Sequence, residues 1–382
     1  MDNQIKYIVE DFLETIKDRE IQVITHNDTD GITSGAIIAK TLQRLNKKFS
    51  IKILKSLEEE TIKSLPKDKV LMFLDLASNS FQYLKEIPTE IFILDHHEIT
   101  AEIPPNVKIA NPHLTKSEEI SGAGVCYLFA KEIDKKNTDL AQLAVIGMVG
   151  DLLEKSIVKT YNEIINESKV NVKKGLTMYP ATRPINKVLE YSSEIYIPNV
   201  TGSPLGTIDF LRDIGINKVG NKYKNLIELT NEETSKLITS ISLSRTDGGN
   251  TEDLIGNIYL INFFNKIEDA RQISAMINAC SRYGESGLAI SFCLQNQRAK
   301  EKVENIYTKY KQGIVKALSS IPELKKIEDR NYLIINAEDK IKDTMIGTIA
   351  SILSNSREYE EGKAIIAMAY NKDIIKVSAR MV

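Results

Sequence analysis

IQVIT (21–25), HNDTDG (26–31) and ITSGAIIAKTLQRL (32–45) follow one another without interruption, and their reading decides the fold. The first is a short β-branched run and reads as a strand. The second is a polar turn, and the third repeats apolar residues at helical spacing. Upstream, Ile5, Ile8, Val9, Phe12, Leu13 and Ile16 put a helix at the start of the chain. Downstream, SIKIL (50–54), KVLMFL (69–74) and EIFIL (90–94) are further strand-like runs, separated by helical or turn-rich stretches. Strands alternating with helices predict an α/β fold, a parallel sheet with helices on both faces.

The whole chain has 382 residues, enough for two or three domains. With 42% hydrophobic and 27% charged residues it can bury a core, which excludes a disordered or disulfide-stapled protein. Lys and Arg number 50 against 52 Asp and Glu, so no global positive field draws in a polyanion. Cys126, Cys280 and Cys293 lack CxxC spacing and read as reduced, mostly buried thiols. No apolar run is long enough to span a bilayer, and MDNQIKYIVEDFLETIKDRE (1–20) reads as an acidic amphipathic helix rather than a signal peptide. A cytoplasmic protein without membrane contact is expected.

SGAGVCYLFAKEI (121–133) and DLAQLAVIGMVGDLLE (139–154) read as helices. Beyond them the character changes. Between residues 155 and 187, Lys155, Lys159, Lys169, Lys173, Lys174, Arg183 and Lys187 face only Glu163 and Glu167. The stretch 175–215 reads as loops with short helices, and new strands are expected at NYLIIN (331–336), AIIAMAY (364–370) and IIKVS (374–378). The reading therefore divides the chain into residues 1–155, a basic helical linker over 156–255, and a smaller α/β domain over 256–382.

Each polar cluster begins where a strand ends. His26, Asp28 and Asp30 follow the first, Asp75 follows KVLMFL, and Asp95-His96-His97 follow EIFIL, while Asp151 closes GMVGD. In an open parallel sheet, ligands bind at the carboxyl ends of the strands, so these residues converge on one crevice. Five carboxylates there would repel one another unless cations neutralise them. Mixed imidazole and carboxylate donors suit a transition metal such as Mn²⁺, and two ions suit phosphate ester hydrolysis. Taken singly, HNDTDG also reads as a capping turn, a strand-end Asp as a helix cap, and His96-His97 as a solvated loop. The joint pattern favours the metal reading.

HNDTDG, FLDLAS (73–78), LDHHE (94–98) and GMVGD (147–151) resemble, in order and spacing, the four motifs of the DHH phosphoesterase superfamily. That resemblance implies one metal held by His26, Asp28 and Asp75, and a second by Asp30, Asp75, His96 and Asp151. Asp75 bridges them, His97 touches the scissile phosphate, and Asp95 orients a histidine. It also implies two Mn²⁺ ions, with Mg²⁺ or Co²⁺ as substitutes.

MINACSRYGESGLAI (276–290) is similar to the Leu-Asn-Ala-Ala-Gly-Arg segment of RecJ-type exonucleases. Asn278, Ala279 and Arg282 match, while Cys280 and Ser281 replace Ala and Gly. Residues 172–203 look like the linker of archaeal RecJ-like proteins. The resemblance makes Arg282 and Asn278 substrate contacts, although an exposed salt-bridge arginine is also open. Ser121 and Gly122, opening a helix in SGAG, receive a phosphate or simply cap. The C-terminal domain of the superfamily usually ends in Gly-Gly-Gly-His. Here IIKVSARMV (374–382) is similar to the Ser-x-Arg before that segment, and Gly248-Gly249 lies too early and lacks the His. The resemblance thus implies either a domain truncated at its end or a grip achieved otherwise, with Ser378 and Arg380 as its remaining candidates.

The function so implied is a Mn²⁺-dependent exonuclease on single-stranded DNA or RNA, releasing nucleoside monophosphates in replication or repair. Two alternatives stay open. One is a small-substrate hydrolase, such as a nanoRNase, a 3'-phosphoadenosine phosphatase or a pyrophosphatase. The other is a replication scaffold, since archaeal RecJ-like proteins resemble a helicase subunit that has lost catalysis and some associate with the GINS complex.

Overall fold

The computed structural model describes residues 1–115, 118–177, 180–192, 197–244, 254–354, 359–372 and 374–382. Helix α1 (Asp2–Thr15) leads to β1 (Ile21–His26), α2 (Thr29–Arg44), β2 (Phe49–Leu54), α3 (Glu59–Lys63), β3 (Val70–Leu74), α4 (Phe81–Leu84), β4 (Ile91–Leu94) and β5 (Val107–Ala110). The strands form one sheet ordered β2-β1-β3-β4-β5, every neighbouring pair parallel. Register aligns their ends: Thr25 sits opposite Leu74, and Leu74 opposite Leu94. His26, Asp75 and Asp95 therefore leave the sheet side by side.

Alternation along the strands sorts the two faces. Ile24, Leu71, Phe73, Ile91, Ile93, Val107 and Ile109 form one core with Ile62 of α3 and Phe81 and Leu84 of α4. On the other face Phe92 meets Phe12 of α1 edge-on at 5.1 Å, and Phe12 meets Phe129 at 5.2 Å. Phe129 belongs to α5 (Gly122–Ile133). β3 and β4 are buried at every position, as strands covered on both faces must be. The short β5, VKIA, was not singled out from sequence.

The helix expected over 139–154 is shorter. α6 covers Ala141–Gly150, Asp151 is its C-cap, and Leu152 turns left-handed with φ of 60° before a 3-10 turn at Leu153–Lys155. α7 (Lys159–Ser168), β6 (Asn171–Leu176), α8 (Ile185–Glu190), α9 (Pro204–Asp213), α10 (Asn231–Ser244), β7 (Ile255–Phe263), β8 (Lys266–Asp269), α11 (Ala270–Arg282), α12 (Ser286–Cys293) and α13 (Gln297–Ser320) follow. The chain ends in β9 (Lys325–Glu328), β10 (Tyr332–Asn336), α14 (Asp343–Ser354), β11 (Ala364–Asn371) and β12 (Ile374–Met381).

Compactness divides the chain differently from composition. One unit joins residues 1–171 with 259–304, and the other joins 172–258 with 305–382. In the first, α11 and α12 pack on α2 and α6, which is why a segment distant in sequence belongs with the parallel sheet. In the second, a four-stranded mixed sheet ordered β12-β11-β10-β9 carries α14 against β11 and β12. Its central pair β10–β11 is parallel, and β9 and β12 run antiparallel at its edges. Gly248 and Gly249, and residues 178–179 and 193–196 of the 172–203 stretch, lie outside the described residues. Cys126, Cys280 and Cys293 are free and buried. Among the described residues, no helix is long and apolar enough to cross a membrane.

Candidate metal centre

The turn after β1 combines both roles its sequence allowed. Asp28 is the N-cap of α2, its Oδ1 accepting from the Gly31 N–H at 2.9 Å, while its Oδ2 lies 2.8 Å from His26 Nδ1. Asp30, one residue into the helix, is fully buried, and its Oδ1 accepts from the Ala123 N–H at 3.0 Å. His26 Nε2 is fixed by the Lys55 carbonyl at 3.2 Å.

Asp75 leaves β3 in the left-handed region, with φ of 55°. A non-glycine residue held there reflects strain retained at a functional position. Its Oδ2 lies 3.5 Å from His26 Nδ1 and its Oδ1 3.3 Å from His96 Nε2. His96 Nε2 also reaches Asp151 at 3.2 Å and Asp30 at 3.9 Å. The approach is close enough to exclude side chains: a Cβ at Gly147 would meet Asp30 Oδ1 at 2.4 Å, and one at Gly122 would meet Asp75 Cβ at 2.8 Å.

Beneath these groups, buried Asp95 accepts from the Ser78 N–H at 3.0 Å, the His96 N–H at 2.8 Å and His97 Nδ1 at 2.7 Å. Its bond to Nδ1 holds the His97 ring, which is half exposed.

The electrostatics are those of a site short of positive charge. Burial, the largest influence on His26, pulls its pKa down, yet Asp28 and Asp75 outweigh it and lift it to about 10. Burial pushes Asp30 well above the usual carboxylate range, with Asp151 and Asp75 adding to it. Burial likewise raises Asp151, and His96 rises against its own burial because Asp75, Asp30 and Asp151 surround it. Asp95 goes the other way: burial opposes ionisation, but the His97 and Ser78 hydrogen bonds hold it at about 2.

Divalent cations fit this donor set. His26 Nδ1, Asp30 Oδ2 and Asp75 Oδ1 are buried without a hydrogen-bond partner of good geometry among the described residues. Three groups have their donor atoms within 4.8 Å of one another: His26-Asp28-Asp75, Asp30-His96-Asp151, and Asp75-His96-His97. Asp75 belongs to two of them.

Other candidates resolve unevenly. Ser121 is fully buried, and its Oγ accepts from the Gly124 N–H, capping α5, and from the Tyr161 hydroxyl. Asn278 and Arg282 lie on α11 in the same unit. Arg380 lies in the other unit, where its Nε donates to Ser351 Oγ at 3.1 Å.

Sequence reading missed the supports. Thr29, between two donors, bonds through Oγ1 to the Ser274 carbonyl at 3.1 Å and its hydroxyl at 3.0 Å. Three residues after Asp151, Glu154 is held by Arg271 at 3.1 Å, both side chains 8% exposed. Arg271 and Ser274 share one face of α11. That helix therefore braces both the start of α2 and the turn carrying Asp151.

Residues 20–148 match the DHH family, N-terminal domain, and residues 179–255 match the DHH-CID domain. An uncharacterized protein of Methanocaldococcus jannaschii is 32% identical over 94% of this chain and 81% of its own. The fold is also that of an exonuclease RecJ crystallised with manganese, with TM-score 0.60 at 16% identity over 96% of this chain and 80% of that one. CDC45 from Entamoeba histolytica gives TM-score 0.72 at 15% identity, covering 97% of this chain and 86% of that one. The strand-end donor set and these matches agree, and the chain belongs to the DHH family.

Proposed function

We propose that the chain is a cytoplasmic, divalent-metal-dependent phosphodiesterase of the RecJ type. It is an exonuclease that releases nucleoside monophosphates from single-stranded DNA or RNA in replication or repair. The convergence of seven donor residues from four segments, with Asp75 common to two groups, carries this reading.

His26, Asp28 and Asp75 hold one ion, and Asp30, Asp75, His96 and Asp151 the other. Two Mn²⁺ ions, replaceable by Mg²⁺ or Co²⁺, supply charge neutralisation and water activation there; the manganese in the RecJ crystal supports that choice. His97, with Nδ1 tied to Asp95, presents its other nitrogen to a phosphate oxygen. Arg282 offers a planar fork for phosphate and Asn278 an amide on the same helix. Arg380 is a further contact for the strand. Gly122 serves by leaving room for Asp30 and Asp75, and Ser121 by capping the helix that starts there. Residues 156–255 connect the sheet-bearing and C-terminal parts of the chain, with 172–258 packed as one unit with 305–382.

A strand incubated with Mn²⁺ tests this: shortening by the wild type and none by Asp30→Ala is expected. No shortening by the wild type, or equal shortening by both, contradicts it. A nanoRNase-like hydrolase is separated by rate, because it would cleave a dinucleotide much faster than a long strand. The likeness to CDC45 favours a second reading, a replication scaffold that binds GINS. Pull-down of GINS by the Asp75→Ala protein tests it, with retained binding the outcome that supports it.

A further inference from the structure

We propose that Asn111, the residue that follows β5, is a positioning residue for His97: its side-chain amide holds the His97 backbone while Asp95 holds the ring. This rests on the reading that His97 meets the scissile phosphate, and deepens it by naming what keeps that imidazole in place.

Register sets the placement. Leu94 and Ala110 are partners at the ends of β4 and β5, and the Asp95 N–H donates to the Ala110 carbonyl at 3.2 Å. Asn111 therefore leaves the sheet beside Asp95. It is fully buried, so its amide needs partners within the protein. Nδ2 donates to the His97 carbonyl at 2.9 Å and to Ser78 Oγ at 3.2 Å, and Oδ1 accepts from the His113 N–H at 2.9 Å. Ser78 in turn donates its N–H to Asp95 at 3.0 Å. Asp95 takes the His97 N–H at 3.3 Å and Nδ1 at 2.7 Å. His97 is thus held at its amide and ring by Asp95 and at its carbonyl by Asn111.

A local role accounts for only one bond of Asn111. The contact with His113 closes a turn two residues on, as asparagine does in many loops. The Nδ2 bonds instead reach back 14 residues to His97 and 33 residues to Ser78, both joined to Asp95. A half-exposed ring such as His97 is enclosed by packing on one side only, so its direction depends on hydrogen bonds. Asn106, just before β5, is the contrast. Its Nδ2 donates to the Leu84 and Ile87 carbonyls at 3.1 and 2.9 Å and to nothing at the strand ends that carry the histidines.

The test uses full-length, cation-free protein carrying ¹⁵N-labelled histidine, with the His97 ring signals assigned from His97→Gln. Asn111→Ala should shift those signals or broaden them beyond detection, while the His26 signals stay in place. Asn111→Ser, which keeps an acceptor for the His113 N–H but is too short to reach His97, should do the same. Asn106→Ala should leave every histidine signal as in the wild type. Melting curves check folding, and if Asn111→Ala does not fold, Asn111→Ser carries the result. With Mn²⁺, kcat for bis-p-nitrophenyl phosphate should fall about tenfold in Asn111→Ser, with KM and the Mn²⁺-induced rise in melting temperature near wild type. In a His97→Ala background the same change should add no further loss. Unchanged His97 signals in a folded Asn111 variant, equal shifts in Asn106→Ala, or a full further loss in the His97→Ala background overturns the inference. Shifted signals together with a wild-type rate in His97→Ala leave the positioning standing and overturn the catalytic reading of His97 instead.

Discussion

The ends of the parallel sheet and the Arg271–Glu154 pair both enclose charged side chains, and they differ in how that charge is met. At the sheet ends Asp28, Asp30, Asp75 and Asp151 crowd around His26 and His96, and several buried donor atoms lack a hydrogen-bond partner of good geometry among the described residues. The crowded carboxylates at the sheet ends repel one another, and cations would neutralise them. The Arg271–Glu154 pair is the contrast, because it is equally enclosed and internally balanced. The near-neutral total of the chain conceals both arrangements.

The comparison makes removing half of the balanced pair a folding defect. Arg271→Met leaves Glu154 buried and unpaired, and should lower stability in urea melts by roughly 3–5 kcal/mol, with part recovered by adding Glu154→Gln. Asp95→Asn removes the acceptor that fixes His97, and should lower Mn²⁺-dependent hydrolysis by about 10–100-fold with less change in metal affinity.

Protonation gives the next test. Without cations, the raised His26 contributes stability that is full below its ordinary value and is lost as pH rises towards about 10. Raised Asp30 and Asp151 act in the same direction, since the folded protein holds their protons more tightly than the unfolded chain. Cation-free melting temperatures should therefore fall from about pH 5 to about pH 9. Asp95, at about 2, contributes stability lost only at lower pH. Added Mn²⁺ competes with these protons, so its stabilisation should grow with pH, reaching about 2.7 kcal/mol at a hundredfold excess over Kd. The smallest effect is the most diagnostic. Asp30→Asn should stabilise the cation-free protein at alkaline pH by about 1 kcal/mol while abolishing activity. Destabilisation by that change would break the comparison.

Much of this was legible from local pattern. β3 and β4 are continuous apolar runs because both faces are covered, and the strand-end histidines and aspartates announce a site because register brings strand ends together. What the sequence hid depends on contacts between distant segments. Arg271 on amphipathic α11 looks like any surface arginine until the fold buries it against Glu154. Asn111 likewise shows nothing of Ser78, and the composition change near residue 155 does not reveal that residues 259–304 return to the first unit. The turn at Leu152 was missed because the apolar pattern runs on past Gly150 while the backbone does not.

The most direct test follows single strands of DNA and RNA, labelled at either end, through incubation with the wild type and Asp75→Ala, with and without Mn²⁺. The account predicts mononucleotides released by the wild type only when Mn²⁺ is present, and an intact strand with Asp75→Ala. Strands left whole by the wild type with Mn²⁺, or degraded alike by both proteins, would contradict it.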